Sequence, residues 1–383
     1  MSIPSIFRNH RRQAVQIGIL ALVSLSVTLT GCENSASPQL IVGPATNSNR
    51  LLMDYQKAAD LGYRVDWETQ AVVSDGFQLE ELEVFDDIVV GREGGTILTV
   101  LDSSDGQLRW TDVLGNPLQT FVGTVRVKDR LLVSSSTELM QYKVDTGQLV
   151  AKQRLKTVVN TKPVIVGDLA IYGCANGHVL AHNWVSGFMD WAYDTYNSIK
   201  TQPIMVGNAV AVINDKGAVL VLTPDGEAIG RRKLYGNVTN TPVANEDVIF
   251  IAGNDQSIWA LTRWDCKALW RYRTDSPLKQ QPVLIGDTLY QDVPSEGVVA
   301  LNTKNGSVIW KSPQTHGRVI NQKNNRILTW DGKKIYMIDK ATGRLVSDHD
   351  MPRLLDIKTD NIINGNLFLA NTSGRISKLI PLR

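Results

Sequence analysis

The stretch Ala300–Trp310 reads ALNTKNGSVIW and contains a strand, a tight turn and the start of a second strand. Its centre, Asn305-Gly306, is typical of a turn, because asparagine bonds its own backbone and glycine tolerates positive φ. The apolar residues on both sides are typical of β-strands. This stretch therefore predicts a hairpin whose second strand carries a tryptophan.

The same hairpin phrase recurs at intervals close to forty residues. The turn glycine is found again at five other places, and a cysteine takes its position once: Gly106, Gly147, Gly187, Gly226, Cys266 and Gly343. A tryptophan follows four residues later in four copies: Trp110, Trp191, Trp270 and Trp310. Such a period is the signature of a repeat architecture.

Two further registers share this period. Prolines that open a phrase of the type P-V-x-x-G-D are spaced about forty residues apart: Pro163, Pro203, Pro242 and Pro282. The third register precedes the turns by nine or ten residues: Gly177, Gly217, Gln256 and Gly297. Each period contains four short β-type segments, and a unit of this size cannot bury both faces alone. The repeat therefore predicts blades around an axis.

The two ends of the repeat region predict how the ring closes. Residues 62–67 look like a fourth strand without its first three, whereas the last copy, which runs to Arg383, lacks a fourth strand. The N-terminal strand is expected to complete the last blade, which removes exposed sheet edges. The sequence predicts an all-β, eight-bladed β-propeller of four-stranded antiparallel blades over residues 62–383. Seven blades is the alternative, if a weak copy near 120–155 or 316–350 is not a blade.

The repeated tryptophans are expected to have a structural role in such a ring. A tryptophan at a fixed place on the outermost strand can pack between blades and donate its indole N–H to a neighbouring backbone acceptor. Stacking on a cofactor is the less favoured interpretation.

The first thirty-two residues are typical of a processing signal. Arg8, Arg11 and Arg12 precede an uncharged stretch that ends in Leu29-Thr30-Gly31-Cys32. This arrangement resembles the lipobox of bacterial lipoproteins, which implies a signal peptide over 1–31 and Cys32 as the lipid anchor. Residues 32–61 are then a lipidated tether that includes one short helix, predicted from an N-cap at Asn49 to Leu61. An ordinary secretory signal with a chance cysteine is the alternative.

The Ala300–Trp310 phrase resembles the repeat of pyrroloquinoline-quinone-like propellers. Together with the lipobox, the eight copies and their closure, it resembles the BamB family of outer-membrane assembly lipoproteins. The resemblance implies a lipid-anchored, periplasm-facing scaffold of the outer membrane, with no enzymatic activity and no cofactor. The partners it implies are proteins, namely the β-barrel assembly machinery and unfolded outer-membrane clients. The chain itself is expected to be a monomer within a complex.

Two other functions stay open at this stage. A quinone-dependent dehydrogenase needs a bound quinone, a hard cation with oxygen ligands and a carboxylate base. The sequence lacks the adjacent cysteine pair that many such enzymes carry, and it singles out no carboxylate. The other alternative is a cell-envelope module that binds or senses a small ligand.

The charge balance argues against a nucleic-acid-binding protein. Of 383 residues, 43% are hydrophobic and 20% charged, with 40 basic against 38 acidic side chains. Without the three arginines of residues 1–31, 37 basic side chains remain, so the body is almost neutral. Two local runs are expected to be solvated or, alternatively, to dock a partner: Asp75, Glu80, Glu81, Glu83, Asp86 and Asp87, and Arg231, Arg232 and Lys233.

Two histidines and two cysteines complete the candidate chemistry. His178 and His182 have the spacing of a zinc pair on a helix, but they fall on a predicted strand, where four residues span about 13 Å. No zinc site is expected there. Cys174 and Cys266 lie in different copies, so they are expected to be free or weakly buried thiols rather than a disulfide.

Overall fold

A short helix precedes the first strand of the computed structural model, which describes residues 51–115, 118–351 and 353–382. Helix α1 (Tyr55–Asp60) is capped by Asp54, whose carboxylate accepts a hydrogen bond from the Lys57 N–H, and strand β1 (Tyr63–Gln70) follows. The predicted N-cap, Asn49, lies outside the described residues; within them the helix begins later than predicted, because the backbone at Asp54 is still extended. Within the described ranges, no helix is long and apolar enough to cross a membrane.

Seven four-stranded antiparallel sheets follow in chain order and are numbered here as blades 1 to 7. Blade 1 contains β2 (Leu79–Phe85), β3 (Ile88–Glu93), β4 (Ile97–Asp102) and β5 (Leu108–Val113). Blade 2 contains β6 (Phe121–Val127), β7 (Arg130–Ser135), β8 (Glu138–Lys143) and β9 (Leu149–Arg154). Blade 3 contains β10 (Val164–Val166), β11 (Leu169–Gly173), β12 (His178–Asn183) and β13 (Met189–Asp194). Blade 4 contains β14 (Ile204–Val206), β15 (Ala209–Ile213), β16 (Ala218–Leu222) and β17 (Ala228–Lys233).

The remaining blades have the same order of strands. Blade 5 contains β18 (Val243–Ala244), β19 (Val248–Gly253), β20 (Ser257–Thr262) and β21 (Ala268–Arg273). Blade 6 contains β22 (Val283–Ile285), β23 (Thr288–Val293), β24 (Gly297–Asn302) and β25 (Val308–Ser312). Blade 7 contains β26 (Arg318–Lys323), β27 (Arg326–Trp330), β28 (Lys334–Asp339) and β29 (Leu345–Asp350).

Blade 8 is assembled from both ends of the described chain. It contains β30 (Asp356–Thr359), β31 (Leu367–Ala370) and β32 (Arg375–Pro381), with β1 as its fourth strand. Strand β1 pairs antiparallel with β32, from Tyr63 opposite Pro381 to Gln70 opposite Arg375. The predicted closure and the eight blades are confirmed, and the alternative of seven blades is wrong.

The first strand of each blade lies innermost, because first strands of neighbouring blades contact one another, as β14 with β18 and β26 with β30. Antiparallel order then fixes two opposite faces of the ring. The connections from first to second and from third to fourth strands lie on one face, the hairpin face. The connections from second to third strands, and the loops that lead from a fourth strand to the next blade, lie on the other, the crossover face.

The core consists of apolar clusters between neighbouring blades. Second and third strands are buried on both faces, as in β19 and β24, which agrees with their runs of Val, Ile and Leu. Outermost strands are less buried, because β9 and β13 alternate between half-buried and exposed residues. In these two strands every second side chain is partly covered by the neighbouring structure, and the side chains between them are open to solvent.

The repeated tryptophans lie between blades, as predicted. The Trp110 indole N–H donates to the Val144 carbonyl oxygen of the next blade at 2.7 Å. A Cβ on Gly147 would lie only 2.6 Å from Trp110 Cδ2, and Gly147 has a φ of +67°. Glycine is therefore required at this turn for two reasons: the indole approaches its Cα closely, and its φ is positive. The same Trp–Gly contact forms at four further interfaces: Trp67 with Gly106, Trp191 with Gly226, Trp270 with Gly306 and Trp310 with Gly343.

Three interfaces lack the Trp–Gly contact and fill the space differently. Between blades 2 and 3, the Gln153 amide donates to the Trp184 carbonyl oxygen at 2.9 Å. Between blades 7 and 8, the segment around α1 supplies its own buried side chains, among them Met53 and Leu61. Between blades 4 and 5, the two positions are exchanged: Gly230 occupies the tryptophan position and Cys266 the glycine position.

Candidate protein-binding face

The crossover face carries the longest loops of the repeat, which join each outermost strand to the innermost strand of the next blade. Four of them contain one buried aliphatic side chain at the same place, and each such side chain is at most 2% exposed: Val159, Ile199, Val238 and Leu278. Burial of these side chains anchors each loop between two blades. The loops are therefore fixed elements rather than loose connections.

Polar side chains tie three of these loops to the blade that follows, and Asn240 also ties its loop to the next one. Thr161 Oγ1 accepts from the Gly173 N–H at 2.9 Å, and the Thr201 hydroxyl donates to the Ile213 carbonyl oxygen at 2.8 Å. The Asn240 amide donates to the carbonyl oxygens of Ala252 and of Leu278 in the following loop. These hydrogen bonds and the buried anchors hold the loops firmly against the blades.

Two large aromatic side chains project from this surface into solvent. Tyr196 is 85% and Tyr235 83% exposed, and they occupy neighbouring crossover loops, 39 residues apart. Tyr196 also has a φ of +65°, held by a hydrogen bond from its N–H to Asp194 Oδ1 at 2.7 Å. A bulky residue in the left-handed region costs about 1–2 kcal/mol, so its outward position is maintained against a conformational penalty.

Neither tyrosine was singled out by the sequence analysis. The sequence feature that could have indicated them is a tyrosine in the same part of two successive loop segments. Loops are expected to be polar, so an aromatic residue there is unusual. Only the structure shows which part of each loop is anchored and which projects.

The acidic run is largely engaged in ion pairs. Arg92 pairs with Glu80 and Glu81 at 3.6 and 2.9 Å, Lys162 of the neighbouring interface pairs with Glu83 at 2.8 Å, and Arg109 pairs with Asp87 at 2.8 Å. The side chains of Glu81 and Glu83 are only 16% and 20% exposed. These two carboxylates are not freely solvated: Glu81 pairs within blade 1, and Glu83 pairs with a lysine of the loop that leads into blade 3.

The basic run divides between two blade interfaces because strand residues alternate in direction. Arg231 points toward blade 3, where its guanidinium lies 5.5 Å from the Tyr193 ring centroid. Arg232 points toward blade 5, where its guanidinium lies 5.1 Å from the Trp259 ring centroid. The run is thus two separate features rather than one patch.

The histidines and cysteines have structural surroundings. His178 and His182 both lie on β12, as predicted, and His182 Nε2 lies 2.8 Å from Gln153 Oε1 while burial lowers its pKa. Cys174 and Cys266 are free but fully buried, and burial raises the pKa of each thiol to about 12. In the part of the chain that the structure describes, no group of three or more His, Cys, Asp or Glu is placed to hold a metal ion.

The axis of the ring contains a cavity of about 570 Å³ between the innermost strands of blades 4 to 8. Its wall combines aliphatic side chains, among them Ile204, Val243 and Leu284, with polar ones. Gln202 and Gln281 lie just before β14 and β22 begin. The residues that line it, all of them described, include no Asp or Glu.

This lining does not suit a quinone cofactor with a bound cation. A calcium ion needs several oxygen ligands and the reaction needs a carboxylate base, but the wall of the cavity offers no carboxylate. Its two cationic side chains, Arg318 and Lys358, are both ion-paired with Asp356. They are therefore not free to receive an anionic quinone.

The predicted lipid-anchor residue, Cys32, and the predicted signal peptide over 1–31 lie outside the described residues.

Comparison with solved structures agrees with the architecture. BamB from Moraxella catarrhalis superimposes with a TM-score of 0.65 at 15% identity, over 83% of this chain and 99% of that chain. A computationally designed protein, Ika8, gives a TM-score of 0.67 at 14% identity. At these identities the likeness concerns the fold alone. The fold and its repeat thus define the class: an eight-bladed β-propeller with pyrroloquinoline-quinone-like repeats.

Sequence comparison identifies the family within that class. The family model described as outer membrane protein assembly factor BamB matches residues 93–237 and 201–338, so the chain belongs to this family. The BamB of Burkholderia pseudomallei is 27% identical over 157 residues, 39% of this chain and 41% of that protein. A quinoprotein ethanol dehydrogenase of Pseudomonas putida is also 27% identical, over 42% of this chain and 25% of that protein. The chain spans less than half the length of the BamB relatives from Burkholderia pseudomallei and Nitrosomonas eutropha.

Proposed function

We propose that this protein is a lipid-anchored, non-enzymatic scaffold that assists the assembly of β-barrel proteins into the outer membrane. Its partners are proteins: the β-barrel assembly machinery and unfolded outer-membrane clients. Membership of the BamB family supports a role in outer-membrane protein assembly. The residues that line the axial cavity include no carboxylate, which supports a role without catalysis. In this proposal residues 1–31 are a signal peptide, and Cys32 attaches the tether 32–61 to the membrane.

The observation that carries the proposal is the pair of exposed tyrosines on the anchored crossover loops. Tyrosine is enriched where proteins bind one another, because a rigid ring covers a large area while little side-chain entropy is lost. Tyr196 and Tyr235 project from loops whose anchors are buried, so a partner meets a preformed surface. Binding to such a surface requires little ordering, which favours affinity.

Exposed outermost strands supply a second mode of binding in this proposal. The outermost strands of blades 1 to 7 pair only with the third strand of their own blade in the described sheets, so one edge of each has open backbone donors and acceptors. A client strand can extend such an edge through main-chain hydrogen bonds. The rigid ring would then hold the client segment near the insertion machinery.

The test is a pull-down from envelope extracts with the anchored, full-length protein as bait. Recovery of the barrel-insertion machinery is the expected result, and the double variant Tyr196→Ala/Tyr235→Ala should reduce it about tenfold or more, as for paired aromatic hot spots. The control is Phe188→Ala, which removes an exposed aromatic side chain (73%) from the β12–β13 turn on the opposite, hairpin face. Equal recovery by all three proteins would contradict the proposed face, and recovery of no such machinery would contradict the function.

The anchor is tested separately by fractionation of cells. Cys32→Ala should move the protein from the membrane to the soluble fraction, because acyl chains stabilise attachment by about 0.8 kcal/mol per buried CH₂. Cys174→Ala, which removes a buried thiol of the propeller, is the control and should leave the distribution unchanged. Retention of Cys32→Ala at the membrane would count against the anchor.

A further inference from the structure

The outer rim of the interface between blades 4 and 5 lacks the indole of the Trp–Gly contacts, and the strip between β17 and β21 at this rim is called the groove here. Gly230 on β17 lies where the tryptophan stands at the interfaces with a Trp–Gly contact, so no large ring covers this rim. Beneath this strip lies Trp259 on β20, which is 4% exposed because arginine side chains cover its ring. It belongs to the apolar cluster between blades 4 and 5.

Three arginines line the groove from both sides. Arg232 projects from blade 4 toward the Trp259 ring, with its guanidinium 5.1 Å from the ring centroid. Arg271 projects from blade 5 over the same ring at 4.4 Å. Arg273 is exposed and lies two residues after Arg271 on β21, so it shares the face that Arg271 presents to blade 4.

The positive charge of the groove is only partly compensated. Arg271 donates to Ser257 Oγ at 2.8 Å and pairs with Asp255 at 3.3 Å. The ion pairs formed among the described residues include neither Arg232 nor Arg273. The Nε of Arg232 is buried and has no hydrogen-bond acceptor among those residues. A buried donor without a partner is costly, and a carboxylate oxygen is the acceptor that a guanidinium binds best.

The backbone on both sides of the groove is also open. Strands β17 and β21 are the outermost strands of blades 4 and 5, and each is hydrogen-bonded to one neighbour only in its described sheet. A segment lying in the groove therefore meets arginine side chains together with unpaired main-chain groups. Tyr235, 83% exposed, stands at the crossover end of the same groove, 5.5 Å by ring centroid from the Arg271 guanidinium.

We propose that this groove binds an acidic, extended segment of a partner protein. The carboxylates of the segment pair with Arg232 and Arg273, and its backbone hydrogen-bonds the edge of β17 or β21. An extended polypeptide suits the groove better than a nucleic acid, because it lies between two sheet edges and the surrounding body is almost neutral. The site stands on the outer rim and does not rest on the proposed role in barrel assembly.

The binding test uses the full-length protein in detergent and a fluorescein-labelled peptide of alternating Glu and Val, followed by fluorescence anisotropy. The peptide should bind in a salt-sensitive manner, and a control peptide of alternating Gln and Val should bind about tenfold more weakly or not at all. Arg273→Gln and Arg232→Gln should each weaken binding of the acidic peptide about tenfold. The matched controls Arg231→Gln and Lys233→Gln remove the same charge from the opposite face of β17 and should leave binding unchanged.

A second variant tests the groove itself. Gly230→Trp combined with Cys266→Gly recreates the Trp–Gly contact of the other interfaces and covers the rim without removing an arginine. This variant should keep a cooperative thermal unfolding transition and lose binding of the acidic peptide. Circular dichroism and the unfolding transition identify any variant that fails to fold, and the surface variant Arg273→Gln then still decides the proposal.

Several results would overturn the proposal. One is equal binding of the acidic and the Gln-containing peptide; another is unchanged binding by Arg232→Gln, Arg273→Gln and the groove-filled variant. Binding of single-stranded oligonucleotides or of phosphatidylglycerol vesicles without binding of the acidic peptide would assign the charge to another class of ligand. Dimerisation in analytical ultracentrifugation that is abolished by Asp190→Asn/Asp194→Asn on the acidic β13 would assign the groove to a second copy. None of these measurements depends on the barrel-insertion machinery.

Discussion

The interface between blades 1 and 2 and the interface between blades 4 and 5 solve the same packing problem in opposite ways. In the first, Trp110 stacks on Tyr142 with ring centroids 5.6 Å apart and lies against the bare backbone of Gly147. In the second, the outermost strand offers the bare backbone of Gly230, and Cys266 in the turn fills the space. A Cβ on Gly230 would lie 2.9 Å from Cys266 Sγ, so the two positions are complementary.

Both pairs of residues fill the space between the outermost strand of one blade and the turn of the next. Only the pair with a tryptophan also covers the outer rim of the interface. A cysteine fills the turn position, yet it is too small to reach the outer edge as an indole does. The Trp–Gly contact therefore closes an interface completely, whereas the Gly–Cys exchange closes the core and leaves the rim to three arginines.

The largest effect in this comparison is expected from loss of an interfacial indole. Trp110→Ala should lower the free energy of unfolding by about 3–5 kcal/mol, because it removes a buried ring that is 8% exposed and leaves the Val144 carbonyl without its donor. Denaturant titration followed by circular dichroism measures the loss. The control Trp264→Ala removes a ring that is 56% exposed and should change stability by less than about 0.5 kcal/mol. Equal losses in the two variants would refute the assigned role of the contact.

A smaller effect is expected from adding one methyl group under the indole. Gly147→Ala should cost about 1–2 kcal/mol for its left-handed backbone and a further 1–3 kcal/mol for crowding Trp110. Gly167→Ala is the matched control: its φ is +58°, and no described atom lies within 4 Å of the added Cβ. It should show the backbone cost alone in the same titration. If both variants lose the same stability, the close approach of the ring does not matter.

The smallest effect concerns the thiol that replaces glycine. Burial raises the pKa of Cys266 from 9.0 to about 12, so the folded protein keeps its proton longer than the unfolded chain does. The contribution of the buried, protonated thiol to the free energy of unfolding is complete below about pH 9 and is lost as the pH rises toward 12. Between pH 9 and pH 10 the free energy of unfolding should fall by about 1 kcal/mol because of this thiol.

The measurement compares unfolding of the parent protein and Cys266→Ala at the two pH values. Other buried groups titrate in both proteins, so only the difference between them reports on Cys266. The variant should lose about 1 kcal/mol less than the parent. A difference of zero would mean that the thiol is accessible to solvent in the folded state.

Much of the ring could be predicted, because its signals are local. Asn-Gly turns, apolar runs and a period of forty residues are properties of short segments, and they indicated the eight blades and the closing pair of strands. The sequence also placed Cys266 in the position of a turn glycine. It did not reveal that Gly230 is the complementary change, since the two residues belong to different copies and meet only across an interface.

The binding surfaces could not be predicted for the same reason. Whether Tyr196 projects depends on the burial of Ile199 and on a positive φ, neither of which a residue type dictates. The division of Arg231 and Arg232 between two interfaces depends on which side of β17 faces each blade. The helix prediction failed at its start because Asp54 caps α1, although Asn49 is an equally good capping residue by type.

The pairing of β1 with β32 has a consequence for how the molecule is made. Tyr63 and Pro381 are neighbours in the folded sheet but are separated by more than 300 residues of chain. Blade 8 cannot form until the chain from Tyr63 to Pro381 is available to fold, whereas each of the other seven blades needs only one continuous segment. Contacts this distant in sequence form slowly, and until they form, β1 and β32 each present a free edge to other chains. Protection from aggregation is therefore expected to matter most in the interval before β1 pairs with β32.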